Sequence, residues 1–340
     1  MTRQFVQLNK GLFYLYFSEF IVVIVLLFYY NFGFYYNQLL HDETKIVLLI
    51  LASLYLLIIL PFRLLSKGRN ETIFKSDVLL NVLKQSINQL MVRKRILDNI
   101  DLNLTKGELN AVLFFLVKII FIPIMLNFFI AYLLYLIKYF QSGFSFEVFF
   151  TSYNWFFIIS AMIFTVDTFY FSFGYIVESK GLNNQVKSVD ATAIGWIAAL
   201  ACYKPFNNVT VRLFPMLADE NIYFINDSLT TVIYILVLVF YFTYLWATLA
   251  LGAKCSNLTN RGIVSKGPYQ YVRHPAYISK LIAWWLLCIP ILDLKVLLSM
   301  SGWTLIYLVR VYTEEKHLSK DTDYLNYCSK VKYRLIPGIY

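Results

Sequence analysis

The chain has 340 residues, of which 59% are hydrophobic, 19% aromatic and only 15% charged, and its mean hydropathy is +0.61. Because soluble globular domains average about 25% charged residues, this composition excludes a soluble domain. The formal net charge is +10, but the basic residues lie mainly in the polar segments between apolar runs. Positive charge in such loops orients membrane proteins, so we expect no nucleic-acid partner.

The sequence predicts an all-α fold, a polytopic bundle of transmembrane helices. Seven apolar runs reach the minimum of about 17 residues that a helix needs to cross the hydrocarbon core. They comprise residues 12–30, 46–62, 111–137, 149–177, 229–253, 276–292 and 294–313. The first run is long and lacks a small-residue cleavage site, so we expect a retained span there and not a signal peptide.

An eighth apolar run, residues 191–203, has only 13 residues. As a helix it would be about 20 Å long, short of a hydrocarbon core of about 30 Å. It is either a re-entrant half-helix buried among other helices or a crossing. Counted as a crossing, it places the N-terminal segment, residues 254–273 and the Lys-rich tail on one side. The positive-inside rule then predicts about eight crossings, with both termini in the cytosol.

The largest polar insertion, residues 63–110, carries nine Lys or Arg against five acidic residues and is predicted to be cytosolic. Apolar residues recur near helical spacing in 77–90, which predicts an amphipathic helix. A helix that lies on the membrane surface and a plain connector helix fit this pattern equally well. The four cysteines are widely spaced and form no metal or redox motif, so no metal is expected.

Two polar clusters flank the last pair of apolar runs. The first cluster contains Gly267, Pro268, Tyr269, Val272, Arg273, His274, Pro275 and Tyr277. The second is the acidic pair Glu314-Glu315. The apolar segment between them is long enough to cross a membrane and return, so both clusters are predicted to lie on one face. The expected result is a C-terminal helical hairpin with a cytosolic pocket.

The residue types suit a ligand that carries both signs of charge. Pro275 favours the first turn of a helix, whose free N–H groups attract a carboxylate or phosphate. Arg273 adds positive charge, and the two carboxylates suit an ammonium, a sulfonium or ribose hydroxyls. Two plainer interpretations stay open: interfacial anchoring for Arg273-His274, and a solvated helix end at Glu314-Glu315, neutralised by Arg310 and Lys316.

The ordered combination of motifs resembles the isoprenylcysteine carboxyl methyltransferase and phospholipid methyltransferase family of integral membrane enzymes. Its further elements are Leu318, Tyr324, Tyr327, Val331, Arg334 and Pro337. The similarity covers residues 261–337, about a quarter of the chain, and divides it into N-terminal membrane helices, 1–254, and a methyltransferase-like region, 255–340. It implies an S-adenosylmethionine-dependent methyltransferase that acts on a lipid or lipidated acceptor at the membrane.

The resemblance also implies roles for individual residues. Glu314 and Glu315 would hold polar parts of S-adenosylmethionine, and Arg273 and Arg334 would lie near the acceptor or brace the cofactor. The predicted catalytic residues are thus Arg273, Glu315 and Arg334. A carboxylate acceptor would need only an orienting cation, whereas an amine or phenol would need a base, Glu315 or His274. The predicted cofactor cleft is lined by Tyr269, Val272, His274, Pro275 and Tyr277.

Two alternatives belong to other classes. A membrane reductase of the sterol-reductase type would bind NADPH at the same face, but the carboxylates of Glu314 and Glu315 would repel its 2′-phosphate. A small-solute transporter would use the intramembrane Lys118 and Asp167 and the broken helix at 191–203, yet no second interrupted segment pairs with that helix. Lys118 is close enough to the membrane boundary to snorkel. Asp167 is predicted either to face a substrate cavity or to form a hydrogen bond between helices.

Overall fold

A computed structural model describes residues 2–66, 75–92, 104–218 and 226–339. The chain divides into two compact units, Met1–Pro123 and Ile124–Tyr340, which are taken separately here. The described residues are mostly helical, with almost no strand, which confirms the all-α prediction. Their strands are two short segments, Ser188–Val189 (β1) and Thr259–Asn260 (β2), which pair antiparallel.

Within its described residues, the first unit contains four α-helices and the beginning of a fifth. Tyr30 on the first helix donates a hydrogen bond from its hydroxyl to the carbonyl of Ile119, at 2.9 Å, and its ring contacts Tyr36 edge to face. The helix predicted at 77–90 is present, whereas residues 67–74 and 93–103 of the same insertion lie outside the described residues. The helices are Thr2–Phe32 (α1), Phe34–Leu39 (α2), Asp42–Ser66 (α3), Lys75–Val92 (α4) and Lys106–Gln141 (α5).

In the part of the second unit that the structure describes, the rest of α5 is followed by eight further α-helices. The helices are Phe146–Phe150 (α6), Asn154–Ile176 (α7), Ala193–Leu200 (α8), Asn208–Leu213 (α9), Asp227–Leu251 (α10), Pro275–Cys288 (α11), Leu294–Leu318 (α12) and Thr322–Lys330 (α13). Its core lies where α7, α10 and α11 meet. Phe156 stacks on Tyr234 there with ring centroids 3.9 Å apart, and Leu287 of α11 belongs to the same buried cluster.

Four helices among the described residues are long and apolar enough to cross a membrane. They are Lys106–Gln141, Phe146–Ile176, Asp227–Lys254 and Leu294–Leu318. Each contains one predicted span, except that the predicted span 149–177 extends one residue beyond its helix. The predicted spans 12–30 and 276–292 correspond to the shorter apolar helices Glu19–Phe32 and Pro275–Ile291. The predicted span 46–62 lies within α3. The chain is therefore a helical membrane protein, and the predicted count of about eight crossings is not reproduced.

The run 191–203 forms only the eight-residue helix α8, followed by turns. Eight residues extend about 12 Å, so α8 does not cross the hydrocarbon core. The helix is capped by Thr192, whose hydroxyl accepts from the Gly195 N–H at 3.2 Å, and Trp196 donates to the Asp190 carbonyl at 2.7 Å. These local contacts favour the half-helix interpretation over the crossing.

The hairpin of α11 and α12 positions the polar clusters. A single 3₁₀ turn, Ile289–Ile291, joins the two helices, and Asp293 caps α12 by accepting from the Val296 N–H at 2.7 Å. Cys288, Val296, Met300 and Trp303 form a buried cluster at this end of the hairpin. At the opposite end, the first turn of α11 lies beside the last turns of α12.

Candidate functional site

The first polar cluster begins in a tight turn against α10. Gly267 has φ +63°, a conformation that favours glycine. A Cβ there would come within 3.1 Å of the Ala250 side chain and 3.2 Å of the Trp246 ring nitrogen. Pro268 opens the 3₁₀ turn Gly267–Gln270, and Pro275 is the first residue of α11. The turn therefore fixes the approach of the chain to the amino end of α11.

A distant backbone segment pairs with this cluster. The Arg273 N–H donates to the Tyr333 carbonyl at 3.0 Å, and the His274 N–H donates to the Arg334 carbonyl at 2.9 Å. The Arg273 guanidinium also donates to the Lys332 carbonyl at 3.2 Å. Arg334, which the family motif indicated, thus lies directly beside Arg273 and His274.

Glu315 lies at the centre of the charged residues and is buried. Its carboxylate accepts from Arg334 Nε at 2.7 Å and lies 3.3 Å from His274 Nε2. Arg273 Nε is also 3.3 Å away, as an ion pair without hydrogen-bond alignment. The solvated helix end that was the plainer interpretation of this residue is therefore wrong. Glu315 joins α12 to both the 273–274 and the 333–334 segments.

Glu314, its neighbour, is exposed and faces a different group. The Tyr277 hydroxyl donates to Glu314 Oε2 at 2.7 Å, across the hairpin from α11 to α12. The Tyr277 ring stacks on His274 with an interplanar angle of 7° and a centroid distance of 5.5 Å. The two predicted clusters are thus in direct contact.

A cavity of about 1100 Å³, open to solvent, lies beside these contacts; we call it the first cavity. Of the predicted site residues, Val272, Pro275, Glu315 and Arg334 do not line it. Much of the wall comes from the turn Gly267–Gln270, the amino end of α11 and the last turns of α12. The predicted residues that do line it are Tyr269, Arg273, His274, Tyr277 and Glu314.

Arg310 is a cavity residue that the sequence had suggested only as a neutralising charge. It is buried, and it donates to Asn257 Oδ1 at 2.8 Å and to the Tyr277 hydroxyl at 3.3 Å. Its guanidinium lies over the rings of Tyr277 and Tyr307, at 5.1 and 5.4 Å. Arg310 forms no ion pair with Glu314, although their spacing of four residues would have allowed one.

Tyr324 is a second cavity residue, one to which only the family motif had pointed. Its hydroxyl is buried without a hydrogen-bond partner in the described part of the chain. Burial raises the pKa of this hydroxyl, so that it stays protonated at neutral pH. The adjacent Tyr327 instead donates to the Tyr269 carbonyl at 2.6 Å. The Tyr324 hydroxyl is therefore a buried donor whose partner is not found among the described residues.

A second cavity, of about 1320 Å³, is enclosed by α5, α7, α10, α11 and the segment after α8. Asp167 lines it and also joins α7 to α10, because its carboxylate accepts from Thr248 at 2.6 Å and from Tyr244 at 3.0 Å. Asp167 therefore forms the predicted hydrogen bond between helices and also lines a cavity. Lys118, in contrast, lies over the Phe114 ring at 4.9 Å and lines neither cavity.

Four residues line both cavities, and we call them the shared wall. They are Phe171, Tyr203, Tyr244 and Lys280. One side of the wall carries the charged residues of the first cavity, and the other side is largely aromatic. No group of three or more His, Cys, Asp or Glu side chains that could hold a metal ion occurs among the described residues.

Long apolar helices, together with a cavity lined by side chains of both charge signs at one end of a hairpin, describe a helical membrane protein with a polar cavity. Residues 232–320 match the model of the isoprenylcysteine carboxyl methyltransferase family. The match confirms the resemblance drawn from the motifs, covers about a quarter of the chain, and runs from α10 to just beyond α12. It supports a membrane methyltransferase and does not favour the reductase. No curated protein matches the chain.

Proposed function

We propose that this protein is an S-adenosylmethionine-dependent methyltransferase that acts on a lipid or lipidated acceptor at the membrane. The observation that carries the proposal is the Tyr277–Glu314 hydrogen bond across the hairpin. It places a carboxylate and the amino end of α11 in one cavity, within the region that matches the methyltransferase family. That combination suits a ligand with a carboxylate at one point and positive charge at another.

The residues of the first cavity fit S-adenosylmethionine. Glu314 is an exposed acceptor for an ammonium or ribose hydroxyls, whereas Arg310 and the amino end of α11 attract a carboxylate. Tyr324 offers its unpaired hydroxyl, and the Tyr269 ring offers an apolar face. When bound, the cofactor supplies an electrophilic methyl group on sulfur, whose C–S bond breaks with the electron pair left on sulfur.

We assign Glu315, Arg273 and Arg334 to bracing this cavity. Glu315 holds both arginines and His274 against α12, so that the stacked His274–Tyr277 pair keeps its place on the cavity wall. Because methyl transfer depends on alignment and on exclusion of water, such bracing contributes to the rate without contact with the methyl group. These residues would then act by positioning.

The acceptor would occupy the second cavity, whose lining is mostly aromatic and aliphatic and which meets the first cavity at the shared wall. An amphiphile could enter it between helices from the bilayer, whereas a soluble cofactor would enter the first cavity from water. We further propose that the first cavity and both termini face the cytosol, as the basic loops indicate. Site-specific labelling of single cysteines in closed membrane vesicles tests this orientation.

The positions of Glu314 and Glu315 determine which of the two could repel NADPH. Arg273 and Arg334 neutralise Glu315, so repulsion of a 2′-phosphate would come from Glu314. The family match and the exposed Glu314 carboxylate at the cavity together favour S-adenosylmethionine.

Methyl labelling tests the proposed function. Membranes that contain the full chain are incubated with radiolabelled S-adenosylmethionine, and lipids and proteins are extracted. We expect label in an apolar product, and its loss in mild base would identify a methyl ester. Equal labelling by membranes without the protein, together with no binding of S-adenosylmethionine by calorimetry, would overturn the proposal.

A further inference from the structure

The exposed face of α12 marks the level at which this end of the hairpin leaves the hydrocarbon. Leu305 and Leu308 are exposed there, Tyr312 follows one turn later with 58% of its surface exposed, and Lys316 is exposed one turn after that. The Lys316 ammonium lies over the Tyr312 ring at 5.8 Å. Apolar side chains that give way to tyrosine and then to lysine are typical of a membrane–water interface. The interface therefore crosses α12 between Tyr312 and Lys316.

Residues 330–339, which we call the basic segment, lie at the same level. The backbone carbonyls of residues 333 and 334 accept from the two N–H groups that immediately precede α11. Arg334 also donates to Glu315 at 2.7 Å, and Glu315 stands one residue before Lys316 on α12. Because the segment is bonded to both helices of the hairpin at this level, it runs along the interface.

The outward side of the basic segment combines apolar and cationic side chains. Tyr333, Ile336 and Ile339 are exposed, Ile339 by 78%. Lys330 and Lys332 are exposed too, and neither ammonium has a partner among the described residues. Isoleucines exposed to water cost free energy, whereas at an interface they reach acyl chains while lysines reach head groups. The side chains of the segment therefore suit a lipid surface.

The acidic residues at this end of the molecule leave the two lysines unneutralised. Residues 316–339 contain five basic residues and only two acidic ones, Asp321 and Asp323. Carboxylate oxygens of both aspartates lie 3.1 Å from the Lys187 ammonium. The excess charge at the interface is thus positive, and a negatively charged partner complements it.

We propose that the basic segment is a docking surface for anionic phospholipids, whose head groups bind Lys330 and Lys332 while their acyl chains contact the exposed isoleucines. A zwitterionic head group fits less well, because its ammonium is repelled by the lysines. The bound lipid also holds the backbone that accepts from Arg273 and His274, so it stabilises the wall of the first cavity. This inference requires a membrane but does not require methyl transfer.

Hydrogen exchange of the full chain in lipid nanodiscs tests the docking surface. The nanodiscs contain either phosphatidylcholine alone or a mixture with phosphatidylglycerol, and exchange is followed by mass spectrometry of peptides from residues 330–339. We expect these amides to exchange at least about fivefold more slowly with phosphatidylglycerol, since each lysine near an anionic surface contributes about that factor. High salt should reduce the difference, because it screens the attraction.

Three variants separate the charge of the segment from its structure. The double variant Lys330→Gln with Lys332→Gln should abolish the difference between the two lipids, whereas Lys330→Arg with Lys332→Arg should keep it. Lys295→Gln removes an exposed lysine at the opposite end of the hairpin and should leave the difference unchanged. Thermal melting in phosphatidylcholine nanodiscs shows that each variant is folded.

The affinity for S-adenosylmethionine in the same nanodiscs tests the link to the first cavity. Calorimetry should give severalfold tighter binding with phosphatidylglycerol in the wild type and no such gain in the Lys330→Gln, Lys332→Gln variant. Equal affinity in both lipids would overturn the link. This readout alone rests on the proposed function, and a failure to bind S-adenosylmethionine in either lipid would refute that function while the exchange result stands.

Two results would overturn the docking surface itself. The first is equal exchange of the wild-type segment in both lipids, or an unchanged difference in the folded double glutamine variant. The second is equal protection by soluble inorganic phosphate in phosphatidylcholine nanodiscs, because a free anion would then suffice without a lipid.

Discussion

The two adjacent carboxylates show how one residue step changes a role. Successive residues of an α-helix point about 100° apart, so Glu314 and Glu315 face different neighbours. Glu315 is buried among Arg273, His274 and Arg334, whereas Glu314 is exposed at the first cavity and accepts from Tyr277. The sequence alone predicted both as cofactor ligands, and the geometry separates them into a brace and a cavity residue.

The first prediction concerns Glu315. Glu315→Gln would leave the two guanidinium groups of Arg273 and Arg334 without their counter-charge. Breaking a buried ion pair costs about 3–5 kcal/mol, and we expect about 3 kcal/mol because Arg334 is partly exposed. Thermal unfolding of the purified variant should therefore begin at a clearly lower temperature than that of the wild type. A wild-type melting temperature would show that Glu315 does not brace the cluster.

The second prediction concerns Glu314, whose variant is the matched control for Glu315→Gln. Glu314→Gln keeps the shape of the side chain and breaks no ion pair, so the melting temperature should hardly change. Loss of a hydrogen bond to a charged group costs about 1.5–3 kcal/mol, which corresponds to roughly a tenfold to hundredfold weaker affinity for S-adenosylmethionine. Calorimetry measures this loss. An unchanged dissociation constant would place the cofactor elsewhere.

At the residue scale, the sequence predicted that the two polar clusters of the hairpin meet. It did not predict every side-chain contact between them. The hairpin length places Tyr277 and Glu314 on one face, and the contact follows. The partners of Arg310 could not be predicted from the sequence. Its spacing on the helix permits an ion pair with Glu314, but in the structure it donates to Asn257 and Tyr277. Choosing among them requires the position of the loop that carries Asn257.

At the scale of elements, a small polar junction ties the β1–β2 pair to α13. Lys187 lies 3.1 Å from carboxylate oxygens of Asp321 and Asp323, and Asn260 donates to Asp321 at 2.8 Å. Asp321 also caps α13 by accepting from the Asp323 N–H at 3.0 Å. Strands of two residues leave no periodic pattern in a sequence, so neither this pair nor its junction could be predicted.

The third prediction is a pH dependence. The hydrogen bond from Asn260, followed by the contacts with Asp323 and Lys187, lowers the pKa of Asp321 despite its partial burial. Since the pKa in the folded state is below that in the unfolded state, the stabilisation is complete above the ordinary value of about 3.9. It is lost as the pH falls through the lowered pKa of the folded state.

The variant Asp321→Asn isolates this contribution, because asparagine still caps a helix. Melting temperatures of wild type and variant should differ most near neutral pH and should converge as the pH falls below about 4. A gap that stays constant down to strongly acidic pH would show that the carboxylate charge contributes nothing at this junction.

At the scale of the whole molecule, the composition predicted a helical membrane protein. It did not predict the number of membrane crossings. Hydropathy identifies an apolar run but does not say whether lipid or protein surrounds it. Residues 191–203 illustrate this limit, since an apolar run of 13 residues yields the eight-residue helix α8. The helix begins where Thr192 and Asp190 accept hydrogen bonds from backbone N–H groups, and hydropathy does not report such side-chain contacts.

The fourth prediction concerns the stability of the whole chain. A ligand that binds only the folded state stabilises it by about 2.7 kcal/mol at one hundred times its dissociation constant. S-adenosylmethionine should therefore raise the melting temperature in proportion to the logarithm of its concentration, and NADPH should not. A shift with NADPH alone would revive the reductase.

The shared wall has a pharmacological consequence. The two cavities have Phe171, Tyr203, Tyr244 and Lys280 in common, and aromatic side chains make up much of the lining of the second. A single molecule that tethers an adenosine to a hydrocarbon tail could occupy both at once, and its second half would bind without a further loss of translational freedom. Such bisubstrate compounds should bind much more tightly than either half alone.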